Sequence, residues 1–214
     1  MMSRNSRVRL LTETDLPTAA AISEQAFLTE AFASRMFRLS SQRSRRAFRA
    51  VIELRFLSFW AAGHPVQGLF VDDQLAGVAL YKGPQGKLPA FFGLRALVSR
   101  APQIAPLVFY IRYRSMVSLL RLSESSTEIP EPHLLLEMIA VDPSCQGQGM
   151  GKTLLQAGQT LAQSLGLEGV YLYTGDTPNV RFYQKLGFHI VEARESEDLT
   201  VYHMFWAASA GSDS

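Results

Sequence analysis

Val141-Asp142-Pro143-Ser144-Cys145-Gln146-Gly147-Gln148-Gly149-Met150-Gly151-Lys152 decides how this chain is read. The residues before it, Leu134 to Val141, form an apolar run of strand length. After it, Met150, Leu154, Leu155, Leu161, Ala162 and Leu165 recur at helical spacings, and Gly166 is placed to stop the helix. Three glycines, Gly147, Gly149 and Gly151, therefore sit where a strand becomes a helix. Glycine lets a backbone come close to a ligand because no Cβ intervenes. The first N–H groups of a helix lack internal partners and carry partial positive charge. Together they predict an anion site, most often for phosphate.

Two nucleotide-binding motifs come near this pattern. Gly151-Lys152-Thr153 is the tail of a P-loop, but the leading glycine falls at position 146, which is Gln146. The glycine spacing is not Gly-x-Gly-x-x-Gly either, which disfavours a dinucleotide fold.

The Gln146-Gly147-Gln148-Gly149-Met150-Gly151 block resembles the Gln/Arg-x-x-Gly-x-Gly/Ala signature of the GNAT superfamily of N-acetyltransferases. Ile139-Ala140-Val141-Asp142-Pro143 looks like that family's strand before the loop. Asn179-Val180-Arg181-Phe182-Tyr183-Gln184-Lys185-Leu186-Gly187-Phe188 is similar to its Asn-x-x-Phe-Tyr-x-x-Leu-Gly-Phe helix end. The opening Val8 to Thr12, and Asp15 to Phe27, resemble its first strand and helix. Residues 134–206 resemble the puromycin-type enzymes in particular; residues 30–130 give no comparable match.

The resemblance implies an α/β fold: a mixed, mostly antiparallel central sheet flanked by helices, with a V-shaped opening between the fourth and fifth strands. One such domain is expected over residues 1–214, with acceptor-side helices near 28–61 and 88–122 and a coenzyme-binding core near 134–206. It also implies acetyl-CoA as acyl-donor cosubstrate, held through Ile139, Val141, Gln146, Gly147, Gln148, Gly149, Met150, Gly151, Lys152, Asn179 and Phe182. The expected reaction moves an acetyl group to an amine, by direct attack in a ternary complex, because no nucleophile for a covalent route stands out. A small, partly apolar amine is preferred to a protein as acceptor. A module that binds acetyl-CoA without catalysis is the alternative from another class.

An attacking amine of pKa about 10 must first lose a proton, and the coenzyme thiolate must gain one as it leaves. Tyr183 occupies the position at which the family keeps a tyrosine that reaches the coenzyme sulfur, so it is the expected general acid. Glu137 is the expected base. It is the only charged residue between His133 and Asp142, and a carboxylate in such an apolar strand is costly without a use or a partner. An ion pair with one of the chain's many arginines is the competing use. Strand alternation would put Glu137, Ile139 and Val141 on one face. The backbone N–H of Ile139 or Val141 would polarise the thioester carbonyl, as the resemblance implies. Puromycin-type enzymes carry a glutamate in the next strand where this chain has Tyr173, so their base does not transfer directly. Asp176 is a second choice.

Other segments set the surroundings. Residues 28–61 read as mostly helical and hold a basic cluster that includes Arg35, Arg38, Arg43, Arg45, Arg46, Arg49 and Arg55. Such a cluster is either a solvated face or a contact for the coenzyme's 3′-phosphate or an acidic acceptor. Val66–Val71 and Leu75–Tyr81 read as a hairpin. Residues 88–122 read as one or two helices broken near Pro102, with Phe91, Phe92, Phe109, Tyr110 and Tyr113 as candidate walls of an acceptor pocket.

Bulk properties narrow the classes. A net charge of +2 gives no case for a general nucleic-acid binder. One cysteine, Cys145, provides neither a disulfide framework nor metal spacing, and the histidines share none, so no metal is expected. No apolar stretch is long enough to span a membrane, and no apolar run follows Arg4, Arg7 and Arg9 as in a leader, so the expected place is the cytoplasm. The sequence is compatible with a monomer or a homodimer.

Overall fold

In the computed structural model, residues 5–29, 36–86, 101–197 and 199–208 are described. Arg35, Phe91 and Phe92 lie outside them. Seven strands form one sheet: β1 (Ser6–Leu10), β2 (Val66–Val71), β3 (Gln74–Lys82), β4 (His133–Val141), β5 (Gly169–Thr174), β6 (His189–Ser196) and β7 (Leu199–Ala207). The helices are α1 (Leu16–Thr29), α2 (Gln42–Ala61), α3 (Tyr113–Leu122), α4 (Met150–Ser164) and α5 (Thr177–Gln184). Strand order is β1-β2-β3-β4-β5-β7-β6. Every neighbouring pair is antiparallel except β4 and β5. This is the mostly antiparallel mixed sheet expected above, and it is not the doubly wound parallel sheet of dinucleotide-binding folds.

Local chemistry accounts for the boundaries. Asp72 and Asp73 both have positive φ, 48° and 65°, which suits the tight turn joining β2 to β3. The Thr12 backbone N–H donates to Asp15 Oδ2, closing a capping box ahead of α1. Ser41 and Ser44 close a second box at the start of α2. Gly166, at φ 64°, ends α4, and Leu167 N–H reaches back to the Ala162 carbonyl. Between residues 101 and 112 the chain forms a short helical stretch at 101–104, which includes Pro102, and then a 3₁₀ turn (Ala105–Tyr110).

Two apolar clusters cover the sheet. Leu154, Leu155 and Ala162 of α4, with Val180 and Tyr183 of α5, pack against Leu134, Leu136, Val170 and Leu172. On the other face, Ala19, Ile22 and Ala26 of α1 and Phe48, Ile52 and Phe56 of α2 pack on Phe70, Val78, Leu80 and Ala140. Helix α3 lies against β7 through Met116, Leu119 and Leu122, which pack around Leu199 and Val201. No helix among the described residues is long and apolar enough to cross a membrane.

Candidate active site

Strands β4 and β5 pair over three positions only, His133 with Gly169, Leu134 with Val170 and Leu135 with Tyr171. Beyond Leu135 they diverge, and a cleft of about 800 Å³ fills the opening. It is bordered by Glu137, Ile139, Val141, Gln146, Gly147, Gly149, Met150, Gly151, Lys152, Asn179, Phe182 and Tyr183. Of the expected acid, base and coenzyme-binding residues, only Gln148 does not border it; its amide instead reaches the Ser144 carbonyl at 3.5 Å.

The glycine loop is shaped by backbone geometry. Gly147 and Gly149 have φ of 75° and 80°, and a Cβ at either would meet nothing within 4 Å. The need for glycine here is therefore the left-handed backbone, not lack of room. Gly149 is the N-cap of α4, and the Gly149 carbonyl accepts from Thr153 N–H at 3.1 Å. The N–H groups of Met150, Gly151 and Lys152 precede the first helical bond and point out of the helix end. At Gly151 a Cβ would lie 3.5 Å from the Phe182 ring, an ordinary contact, so this glycine is not forced by the chain's own packing.

The open edge of β4 carries a further pattern. Asp142 N–H donates to the Ala76 carbonyl at 2.9 Å, on the β3 side. By the alternation of strand backbone groups, the N–H groups of Val141 and Ile139 point the other way, into the opening. The Gln146 amide donates to the Val141 carbonyl at 3.3 Å on that same edge.

Glu137 is placed by a β-bulge. Leu80 pairs with Met138 and Tyr81 with Leu136, so Glu137 has no partner on β3. A bulge shifts the alternation by one residue and re-aims the side chain. Leu134 and Leu136 precede it, Ile139 and Val141 follow it, and all four pack with the α4 cluster. Glu137 instead forms an ion pair with Arg55 of α2, on the opposite face. The expectation that Glu137, Ile139 and Val141 share a face is thus corrected. The Glu137 side chain is 11% exposed and that of Arg55 42%. Tyr173 also borders the cleft, and its hydroxyl pKa is raised, first by burial and then by the nearby Glu137 charge.

Tyr183 lies on the opposite wall. It is buried, with the Phe182 ring centroid at 5.3 Å and that of Phe188 at 5.8 Å. Asp176, at the N-cap of α5, and Asn179 complete that wall.

The aromatic walls differ from those expected. Phe109 is 83% exposed, Tyr113 is exposed and donates its hydroxyl to the Val108 carbonyl, and Tyr110 packs on α2-side residues; none borders the cleft. Phe27, Phe37 and Phe48, with Val51, Ile52 and Leu119, border it instead. For those on α1 and α2 the signal in the sequence was apolar periodicity, which also describes core residues and so did not distinguish the two uses.

The histidines lie away from the cleft. His203 is fully buried; the Tyr171 hydroxyl lies 2.6 Å from Nδ1, and Nε2 lies 2.7 Å from the Leu122 carbonyl. A neutral ring protonated on Nε2 satisfies both bonds, donating to the carbonyl and accepting from the tyrosine.

A family model described as the acetyltransferase (GNAT) family matches residues 28–188. The chain belongs to the GNAT acetyltransferase family. Curated relatives include the mycothiol acetyltransferase of Pseudarthrobacter chlorophenolicus, 47% identical over 53 residues, which are 24% of this chain and 16% of that protein. The chain thus spans about a sixth of that relative's length. Among solved structures, one described as histone acetyltransferase HPA2 and related acetyltransferase, from Corynebacterium glutamicum, has a TM-score of 0.66 at 21% identity and covers 96% of this chain and 97% of its own. The yncA protein of Salmonella typhimurium, solved with acetyl-CoA, has a TM-score of 0.54 at 16% identity and covers 97% of this chain and 96% of its own. At these identities the likeness shows the GNAT fold.

Proposed function

We propose that this GNAT protein transfers the acetyl group of acetyl-CoA to the amine of a small, partly apolar molecule. The observation that carries the reading is the cleft where β4 and β5 part, which gathers the glycine loop, the free edge of β4, Glu137 and Tyr183. The coenzyme's pyrophosphate lies on the N–H groups at the start of α4, with Lys152 beside it. Its pantetheine arm runs along the open edge of β4, and Ile139 or Val141 N–H polarises the thioester carbonyl and then holds the oxyanion.

Glu137 accepts the proton of the amine, directly or through a water. The neutral amine attacks the thioester carbon, a tetrahedral intermediate forms, and the C–S bond breaks. Tyr183 gives its proton to the departing thiolate, and the second proton lost by the attacking nitrogen as the amide forms returns to Tyr183 through solvent. Arg55 holds the carboxylate in place. The aromatic walls formed by Phe27, Phe37 and Phe48 suit an acceptor with apolar surface.

The test is release of free coenzyme thiol from acetyl-CoA over a panel of aminonucleosides, arylalkylamines, polyamines, aminoglycosides, amino acids and lysine peptides. Turnover with small amines and none with peptides is expected; turnover with lysine peptides alone would overturn the small-molecule assignment. A second reading, binding of acetyl-CoA without catalysis, draws on the Arg55 pair, which already engages the proposed base. It requires binding of acetyl-CoA with no thiol released by any amine.

A further inference from the structure

Phe27 and Phe37 border two cavities. One is the cleft already described. The other, of about 540 Å³, is bordered also by Arg38, Arg45 and Arg112 and, among the described residues, by no carboxylate. Arg7, Arg9, Arg49, Arg55 and Arg194 each have an acidic partner. Among the described residues, no carboxylate lies within ion-pair distance of Arg38, Arg45 or Arg112. Three exposed guanidinium groups around one hollow create a positive potential that no described residue on these walls offsets.

The backbone holds the arginines there. Phe37 bridges Ile111, the Arg38 N–H donates to the Tyr110 carbonyl at 2.8 Å, and the Arg112 N–H donates to the Met36 carbonyl at 2.9 Å. Arg45 sits in the opening turns of α2, behind the Ser41–Ser44 box, and its Nε donates to the Leu39 carbonyl at 3.0 Å. That bond fixes the head of the side chain and leaves its terminal amino groups for a ligand.

The location indicates which ligand. Phe27 and Phe37 belong to the cluster beneath α1 and α2, on the sheet face opposite α4. No residue of the glycine loop borders the second cavity. The arginines therefore address the acceptor and not the coenzyme's phosphates. We propose that the acceptor is a small amine carrying an anionic group, carboxylate or phosphonate. Its anion is gripped by Arg38, Arg45 and Arg112, its apolar middle lies on Phe27 and Phe37, and its amine is in the cleft with Glu137. Guanidinium groups suit such anions because they donate in pairs to two oxygens. This inference rests on the acetyltransferase reading for the amine end only.

The experiment compares matched amines: ω-amino acids, aminoalkylphosphonates and the corresponding neutral amides. Turnover is measured with acetyl-CoA, and binding by titration calorimetry with the protein saturated with coenzyme A, which occupies the glycine loop. The expected result is a kcat/KM at least tenfold higher for an anionic amine than for its amide. Arg38→Gln and Arg112→Gln should each shrink that ratio several-fold, and Arg112→Lys should restore part of it. The carboxylate and phosphonate series identify the anion. Equal rates on acid and amide, or arginine variants that lower both alike, overturn the proposal. Arginine-dependent binding of anionic amines without turnover upholds the cavity and removes only the acetyltransferase reading. Turnover of neutral amines with no binding of anionic ones does the reverse.

Discussion

Replacing Glu137 by glutamine separates the two uses of this residue, because they differ in magnitude. Glutamine keeps the size of the side chain and can still accept a hydrogen bond from Arg55, but it removes the charge and the proton-accepting capacity. Arg55 is 42% exposed, so losing the ion pair is screened by solvent and costs about 1 kcal/mol or less. For a chain of this size that lowers the melting temperature by about 2–4 °C. If Glu137 is the base, turnover falls by about 10²- to 10⁴-fold, far beyond what so small a change in stability can produce. The assay is continuous detection of coenzyme thiol with the best amine of the panel, alongside thermal unfolding of both proteins. A mild loss of stability with turnover within about threefold of the starting protein would show that Glu137 serves only as the partner of Arg55. Arg55→Gln is the companion variant. It strands a carboxylate that is only 11% exposed, so it should destabilise more than Glu137→Gln, by about 1–3 kcal/mol.

Tyr183→Phe should lower turnover by about 10²-fold or more while acetyl-CoA binding by titration changes little, and unchanged turnover removes Tyr183 from the mechanism. Gly149→Val places a β-branched residue at φ 80°; backbone strain of about 1–2 kcal/mol should distort the loop and abolish acetyl-CoA binding, and normal affinity would sink the pyrophosphate assignment. The pKa of His203 is depressed below its ordinary value, chiefly by burial, so the folded protein resists a proton that the unfolded chain accepts. His203 therefore stabilises fully above about pH 6.5, and that contribution is lost as pH falls through the depressed folded value, with a slope of up to about 1.4 kcal/mol per pH unit. Melting temperatures from pH 8 to 5 check this: the decline should flatten in His203→Gln, and an unchanged pH profile in that variant would refute it.

The sequence by itself determined what depends on neighbouring residues. The glycine loop, its strand and its helix were legible because backbone conformation and free helix N–H groups are local properties of residues 141–152. The β2–β3 hairpin, the end of α4 at Gly166 and the Asn179–Phe188 segment were legible for the same reason. Only the tertiary structure decided the rest. The alternation of β4 pointed Glu137 to the face of Ile139, and the bulge opposite Leu80 and Tyr81 turned it to Arg55, a partner 82 positions away that no local pattern selects. The aromatic residues that border the cleft are Phe27, Phe37 and Phe48 and not Phe109 or Tyr113, because an apolar residue at helical spacing serves a core and a cleft equally well. Arg38 and Arg112 likewise come together only through backbone pairing between distant segments. Register and packing between distant segments follow from the whole set of contacts, and it is these that bring Glu137 and Tyr183 to one cleft with the glycine loop.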